Sequence, residues 1–251
     1  MRVIFRCDPK LRDLLPPPMP ARRALPDWIR QMPKDAFSDT HGLDVRTVKQ
    51  CPPFIDAMSY GFIMPLPCDV VVKDGVLSWD WDLPPLSIAA HPTSPISFHV
   101  PAQVTGTPLH HPDRAIVKFN SFWTIELEPG WSLFATHPVN RADLPFRLLS
   151  GLVDADRFTD VGILFPAVWT EPDFNGVLPR GTPIAQCFAV PREPLQMHYE
   201  SMSDEAVARY EQTAAALLGE AGVYRKQYRA ERPRVDNLRA DDLRGDDTDQ
   251  A

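Results

Sequence analysis

No apolar run of about 18 residues occurs in the sequence, which excludes a membrane-spanning helix. The opening residues Met1-Arg2-Val3-Ile4-Phe5-Arg6-Cys7-Asp8 lack the apolar centre of a secretory signal, so a cytoplasmic protein without a membrane partner is expected. Cysteine is sparse: four residues, at 7, 51, 68 and 187, form no Cys-x-x-Cys pair. Dispersed thiols in a chain without a signal imply reduced, mostly buried cysteines rather than a disulfide framework. Positive charge is short as well, with 26 Lys and Arg against 33 Asp and Glu, a net charge of -7, and no basic stripe. A nucleic-acid partner is thereby disfavoured, because neutralising phosphates takes clustered lysine and arginine. Neither a P-loop, a Rossmann glycine pattern nor a Gly-x-Ser-x-Gly elbow is present. The 12 glycines follow no three-residue period, which excludes collagen.

Proline is the residue in excess: 28 of 251 positions, roughly twice the ordinary share. It lacks the amide donor and clashes with the preceding turn, so helical bundles and helical repeats are disfavoured. A 44% hydrophobic content with 13 Phe, 6 Trp and 5 Tyr supplies a substantial core. Residues 1–56 read as a proline-rich arm with short helical turns. Residues 57–192 read as a β core, because short apolar runs bounded by Pro, Gly, Asn or Asp recur there without intervening helices. Asp74-Gly75 between Val70-Val71-Val72-Lys73 and Val76-Leu77-Ser78-Trp79 predicts a two-residue hairpin loop. The spacing of Ala206, Val207, Tyr210, Ala214, Leu217, Leu218 and Ala221 after the cap Ser203 predicts a helix over 203–229, packed on the core. Residues 230–251 read as a disordered acidic tail. The expected fold is mainly β, a β-clip or jelly-roll-like sandwich or barrel.

Candidate chemistry gathers in 129–192. Pro129-Gly130 is a turn into a strand, Gly151-Leu152-Val153-Asp154-Ala155-Asp156 a strand ending in carboxylates, and Gly181-Thr182-Pro183-Ile184-Ala185-Gln186 a turn opening a strand that carries an amide. In order and spacing these blocks resemble the dUTPase and dCTP deaminase superfamily, a β-clip fold. The resemblance implies that Asp154 accepts a sugar hydroxyl and that Gln186 helps bind phosphate. The departures are Pro138-Val139-Asn140-Arg141 where that superfamily has Pro-Arg-Ser-Ser, and Arg157 before Phe158 where it has a stacking tyrosine. The donors a pyrophosphatase needs around its phosphates are missing, so dUTPase activity itself is not expected. Over about 50–230, Cys51-Pro52-Pro53-Phe54-Ile55-Asp56, Lys118-Phe119-Asn120-Ser121-Phe122-Trp123 and the Gly130 and Gly181 blocks resemble a bacterial and phage family designated a domain of unknown function. That resemblance implies no activity.

The leading expectation is a small-molecule pocket, with a nucleotide-like compound as one candidate ligand. Asp154 and Asp156 are the candidate catalytic acids, and Asn140, Arg141, Gln186 and Trp123 the candidate ligand contacts, with no resident metal and no cofactor named. Arg141 would then be the anion partner. A first alternative is a cupin-like metal enzyme of the non-haem iron type using His111 and Asp113, completed by His91, His137 or His198; proline at 112 counts against it. A second is a non-catalytic structural or assembly protein, held as a homo-oligomer by the arm and an aromatic surface. The aromatics Trp79, Trp81, Phe119, Phe122, Trp123, Trp131 and Phe134 are expected to form core.

Overall fold

The computed structural model describes residues 1–110 and 116–231, and the chain divides into two units, Met1–Gln196 and Met197–Ala251. The first unit is built of short antiparallel strands: β1 (Val3–Arg6), β2 (Met19–Pro20), β3 (Asp35–Ser38), β4 (Leu43–Arg46), β5 (Phe62–Pro65), β6 (Val70–Lys73), β7 (Val76–Ser78) and β8 (Ile96–His99). They continue with β9 (Ile116–Asn120), β10 (Thr124–Leu127), β11 (Trp131–Thr136), β12 (Phe146–Leu148), β13 (Gly151–Val153), β14 (Leu164–Trp169), β15 (Gly176–Leu178) and β16 (Pro183–Pro191). Two short helices, α1 (Asp27–Gln31) and α2 (Pro52–Ser59), lie between them; Pro52 and Pro53 open α2 where their missing donors cost nothing.

A five-stranded sheet runs in the order β13-β11-β16-β5-β2 and a four-stranded one in the order β12-β14-β9-β8. Leu133, Ala135, Cys187, Phe62 and Met64 from the first meet Val117, Phe119, Phe146, Phe165 and Ala167 from the second in one core. A three-stranded sheet β15-β6-β7 contains the hairpin read from sequence. Asp74 and Gly75 take φ 50° and 76°, and Lys73 faces Val76 across the turn. Val70 and Val72 are buried while Val71 faces out, the period-two pattern of a half-covered strand.

The proline-rich stretch 1–56 is woven into this unit. β1 pairs with β10 and β2 with β5, and Leu11 and Leu15 are core residues. Asp8 fastens the arm through backbone amides: Oδ1 accepts from Lys10 at 2.9 Å and Oδ2 from Ser87 at 2.7 Å and Ile88 at 3.1 Å. Those donors hold its carboxyl below the ordinary range, although burial pushes the other way. In the second unit α3 (Asp204–Gly219) starts where the cap was read, with the Ser203 hydroxyl accepting from the Ala206 amide at 3.3 Å and Asp204 and Glu205 in the first turn. No helix among the described residues is long and apolar enough to cross a membrane.

Candidate functional site

Of the predicted residues, the outer face of the five-stranded sheet carries Gln186 on β16 and, at one end, Asp154; the others lie in turns or elsewhere in the unit. Register places Leu152, Phe134 and Phe188 side by side on β13, β11 and β16, with Tyr60 stacked on Phe188 at 5.9 Å between ring centres. One polar row flanks them at the Asp154 end, where Ser132 donates its hydroxyl to Asp154 Oδ1 at 2.8 Å. The other flank pairs the Thr136 and Ser150 hydroxyls at 2.8 Å. The row is open mainly at its ends: Leu152 is 64% exposed and Tyr60 58%, while Phe134 is 36% exposed and Phe188 between them is half-buried. Phe134 therefore departs from the expectation that it forms core. Side chains alternate along a strand, and Leu133 and Ala135 take the inward positions. Phe119, Phe122 and Trp123 are buried as expected.

Asp154 and Asp156 do meet, but not as strand neighbours. β13 stops at Val153, and a turn follows in which the Arg157 and Phe158 amides both donate to the Asp154 carbonyl at 2.9 Å. The two acids converge on Arg192, whose Nη1 lies 2.6 Å from Asp156 Oδ1 and 3.2 Å from Asp154 Oδ1, while Nη2 bonds Asp156 Oδ2. The Gly130 amide adds a bond to Asp156 Oδ2 at 2.9 Å, and the Arg192 amide donates to the Gly130 carbonyl at 3.0 Å. Arg192 hydrogen bonding, reinforced by the Gly130 amide, holds the Asp156 carboxyl far below the ordinary carboxylate range. A carboxylate so held is a poor proton acceptor, and its side chain is 5% exposed, so Asp156 clamps the start of β11 to the end of β16. Asp154 differs: its side chain is 57% exposed. Arg192 was missed in sequence because nothing in Val190-Pro191-Arg192 marks a partner 36 residues away.

Gln186 lies elsewhere. It faces Thr136, four residues along β11 from Ser132, hence about 13 Å from the Asp154 end. Its Oε1 accepts the Val139 amide at 2.9 Å, and its Nε2 donates to the Ala57 carbonyl at 2.9 Å and the Tyr60 carbonyl at 2.7 Å. Both amide protons are committed and the residue is 1% exposed, so Gln186 staples α2 and the 138–141 turn to the sheet rather than facing a ligand. The acid and the amide are not brought together over one hollow. Asn140 takes φ 59° in that turn. Arg141 forms a two-pronged pair with Asp143, Nε to Oδ1 and Nη2 to Oδ2 both at 2.8 Å, and its side chain is 12% exposed; its guanidinium is committed within the chain.

His137 completes the turn. Its Nδ1 accepts the Leu148 amide at 3.3 Å, so Nε2 carries the proton and donates to the Arg141 carbonyl at 2.8 Å. Burial pushes this imidazole below its ordinary 6.5, against the opposing bond to Arg141. A folded value below the unfolded one means that the neutral ring stabilises fully above 6.5 and that this contribution is lost as pH falls through the folded value. The melting temperature is expected to start falling as pH drops past 6.5, and His137→Gln is expected to flatten that limb. An unchanged slope in the variant, read by calorimetry, would assign the acid limb to other groups. Asp143 and Asp156, both held below the ordinary carboxylate range, titrate at lower pH and do not enter this window.

Trp123 is buried. Its Nε1 donates to the Pro16 carbonyl at 3.2 Å, and the Arg12 guanidinium carbon sits 5.4 Å from its ring centre. It borders a hollow of about 10 Å³ with Leu15, Met64, Ser121 and Ile184, room for one water rather than a ligand. His111 and Asp113, the proposed metal pair, lie outside the described residues. Of their suggested partners, His137 is committed as above, and His91 directs Nδ1 toward the Pro92 carbonyl at 3.1 Å with its ring against Phe122. Among the described residues no group of three or more His, Cys, Asp and Glu is gathered for a metal. All four cysteines are free; Cys68 and Cys187 are buried and Cys51 is exposed.

No family model and no curated protein matches this chain. Among solved structures, a native EIAV dUTPase is similar over 57% of this chain and 85% of its own, with 12% identity and a TM-score of 0.31. A mutant dUTPase of Staphylococcus bacteriophage 80alpha with dUpNHpp is similar over 38% of this chain and 72% of its own, with 14% identity and a TM-score of 0.26.

Proposed function

We propose that this is a structural β protein that works by associating with copies of itself through the outer face of its five-stranded sheet. The observation that carries the reading is the partly open row Leu152–Phe134–Phe188 with Tyr60, a contiguous apolar strip between two polar rows. Supporting it, Asp156, Arg141 and Gln186 are committed to partners inside the chain, so only Asp154 of those four polar candidates keeps an exposed head. Sedimentation velocity on the full chain is expected to show concentration-dependent association between about 1 and 100 µM, the range of weak specific contacts. A single monomeric species throughout that range overturns the reading.

A second reading rests on Asp154, whose exposed carboxylate beside the aromatic row suits the hydroxyl of a flat, nucleotide-like ligand. A ligand at a hundred times its dissociation constant adds about 2.7 kcal/mol, a rise of roughly 5–10 °C for a chain this size. A thermal-shift screen of nucleosides and nucleotides that moves nothing removes this reading. A rise with a divalent metal alone would instead favour the pair His111 and Asp113.

A further inference from the structure

The five-stranded and four-stranded sheets are joined at one corner by a histidine. His137 directly follows β11 in the first sheet, and β12 is an edge of the second. Leu149 turns its amide inward to the Pro166 carbonyl at 2.8 Å, so the alternate amide, that of Leu148, points away from β14 with no strand to meet it. The His137 ring takes that place. Its Nδ1 accepts the Leu148 amide at 3.3 Å while Nε2 donates to the Arg141 carbonyl at 2.8 Å, and the Phe146 ring stands nearly perpendicular at 5.9 Å. One neutral imidazole thus closes the turn and caps the sheet edge.

Only the neutral ring can do both. A proton on Nδ1 sets an N–H against the Leu148 N–H, two donors with no acceptor between them, at a residue that is 4% exposed. The charges acting on the ring do not rescue its charged form. Arg147 on β12 and Arg141 in the turn oppose it; Asp143 favours it, but that carboxylate is already taken by the two-pronged Arg141 pair and by the Trp28 side chain of α1. We infer that His137 is an acid-sensitive latch, whose protonation releases the corner 137–149 from the rest of the first unit while both sheets keep their other pairings. The small size of that corner favours local release over collapse, since β12 is three residues long and pairs with β14 alone. β11 and β16, paired along the whole of Trp131–Thr136, stay closed. The Val139 amide leaves Gln186 in the same step, and Leu144, Phe146 and Leu148, all buried while the latch is shut, come into solvent.

Hydrogen exchange on the full chain, followed peptide by peptide with the intrinsic pH dependence divided out, tests the latch between about pH 7.5 and 5. A ring protonated only in the open state makes opening up to tenfold easier for each pH unit below its ordinary 6.5, until the folded value is passed. Peptides spanning 137–149 are expected to lose protection by about that factor while those from β11 and β16 keep theirs. His137→Gln, whose amide donates and accepts at any pH, is expected to show no such loss. Nuclear magnetic resonance on the parent decides without the variant, should it fold poorly: the Leu148 amide is expected to shift with the same midpoint as the ring. Equal loss in β11 and β16 would mean global unfolding, an unchanged corner would mean no latch, and loss that persists in His137→Gln would place the titration on another group. Each of these overturns the inference, as does a ring that titrates while the Leu148 amide stays where it was.

Discussion

Gly61→Ala is expected to lower the melting temperature by roughly 8–15 °C, the consequence of about 3–5 kcal/mol lost. Gly61 leads into β5 with φ 73°, where a side chain costs about 1 kcal/mol or more. The larger part is steric. A Cβ there would lie 2.1 Å from the Cys187 carbonyl oxygen and 3.2 Å from Phe188 Cδ1; the ring can give way, but the carbonyl belongs to the strand backbone. Cys187 is buried on β16, the strand between β11 and β5, and the Gly61 carbonyl also accepts the Ala21 amide at 3.0 Å. Relief would require β5 to move off β16. Gly130→Ala is the control: φ 87°, but nothing within 4 Å of the added carbon, so only the backbone term of about 1 kcal/mol is expected. Chemical denaturation of the two variants separates strain from clash; equal losses would mean that Gly61 is not pinned against β16.

Local chemistry made part of this architecture legible. Asp74-Gly75 specifies its own turn, and Ser203 with two acids specifies a helix start, because in each case the deciding contacts span a few residues. Strands at Ile116–Asn120, Trp131–Thr136 and Pro183–Pro191 follow from apolar runs punctuated by Pro and Gly. The arm was harder to read. Proline is disfavoured in the middle of a sheet but fits its edge, and Met19–Pro20 takes that edge, with Leu11 and Leu15 carrying the arm into the core. The site was the least legible. Asp154 and Asp156 were visible as acids, but the Arg192 that draws them together lies 38 and 36 residues on, past three strands. Phe134 looked like core by composition; only the inward placement of Leu133 decides that it faces out.

Gln186 is the residue whose chemistry was readable and whose role was not, and Gln186→Leu is expected to be nearly as damaging as Gly61→Ala. The substitution keeps the volume and burial but removes one acceptor and two donors. The Val139 amide and the Ala57 and Tyr60 carbonyls, 47, 129 and 126 residues away, lose their partner together. Each buried backbone group left unpaired costs about 1–3 kcal/mol, so a loss of roughly 3–5 kcal/mol is expected once partial relaxation is allowed for. Gln186→Glu should be milder, since the carboxylate still accepts from Val139 but faces two carbonyls it cannot satisfy unless protonated. Its stability should therefore rise as pH is lowered through the range where a buried carboxyl takes its proton, opposite to the parent, whose His137 contribution is lost in acid. A structural staple and a ligand contact give different results here. The staple predicts that stability of the ligand-free chain collapses in Gln186→Leu, whereas a ligand contact predicts an unchanged melting temperature without ligand. The first outcome would fix Gln186 as the bolt that holds α2 and the 138–141 turn against the sheet, and with them the Tyr60 end of the exposed row. The second would return the amide to the binding problem.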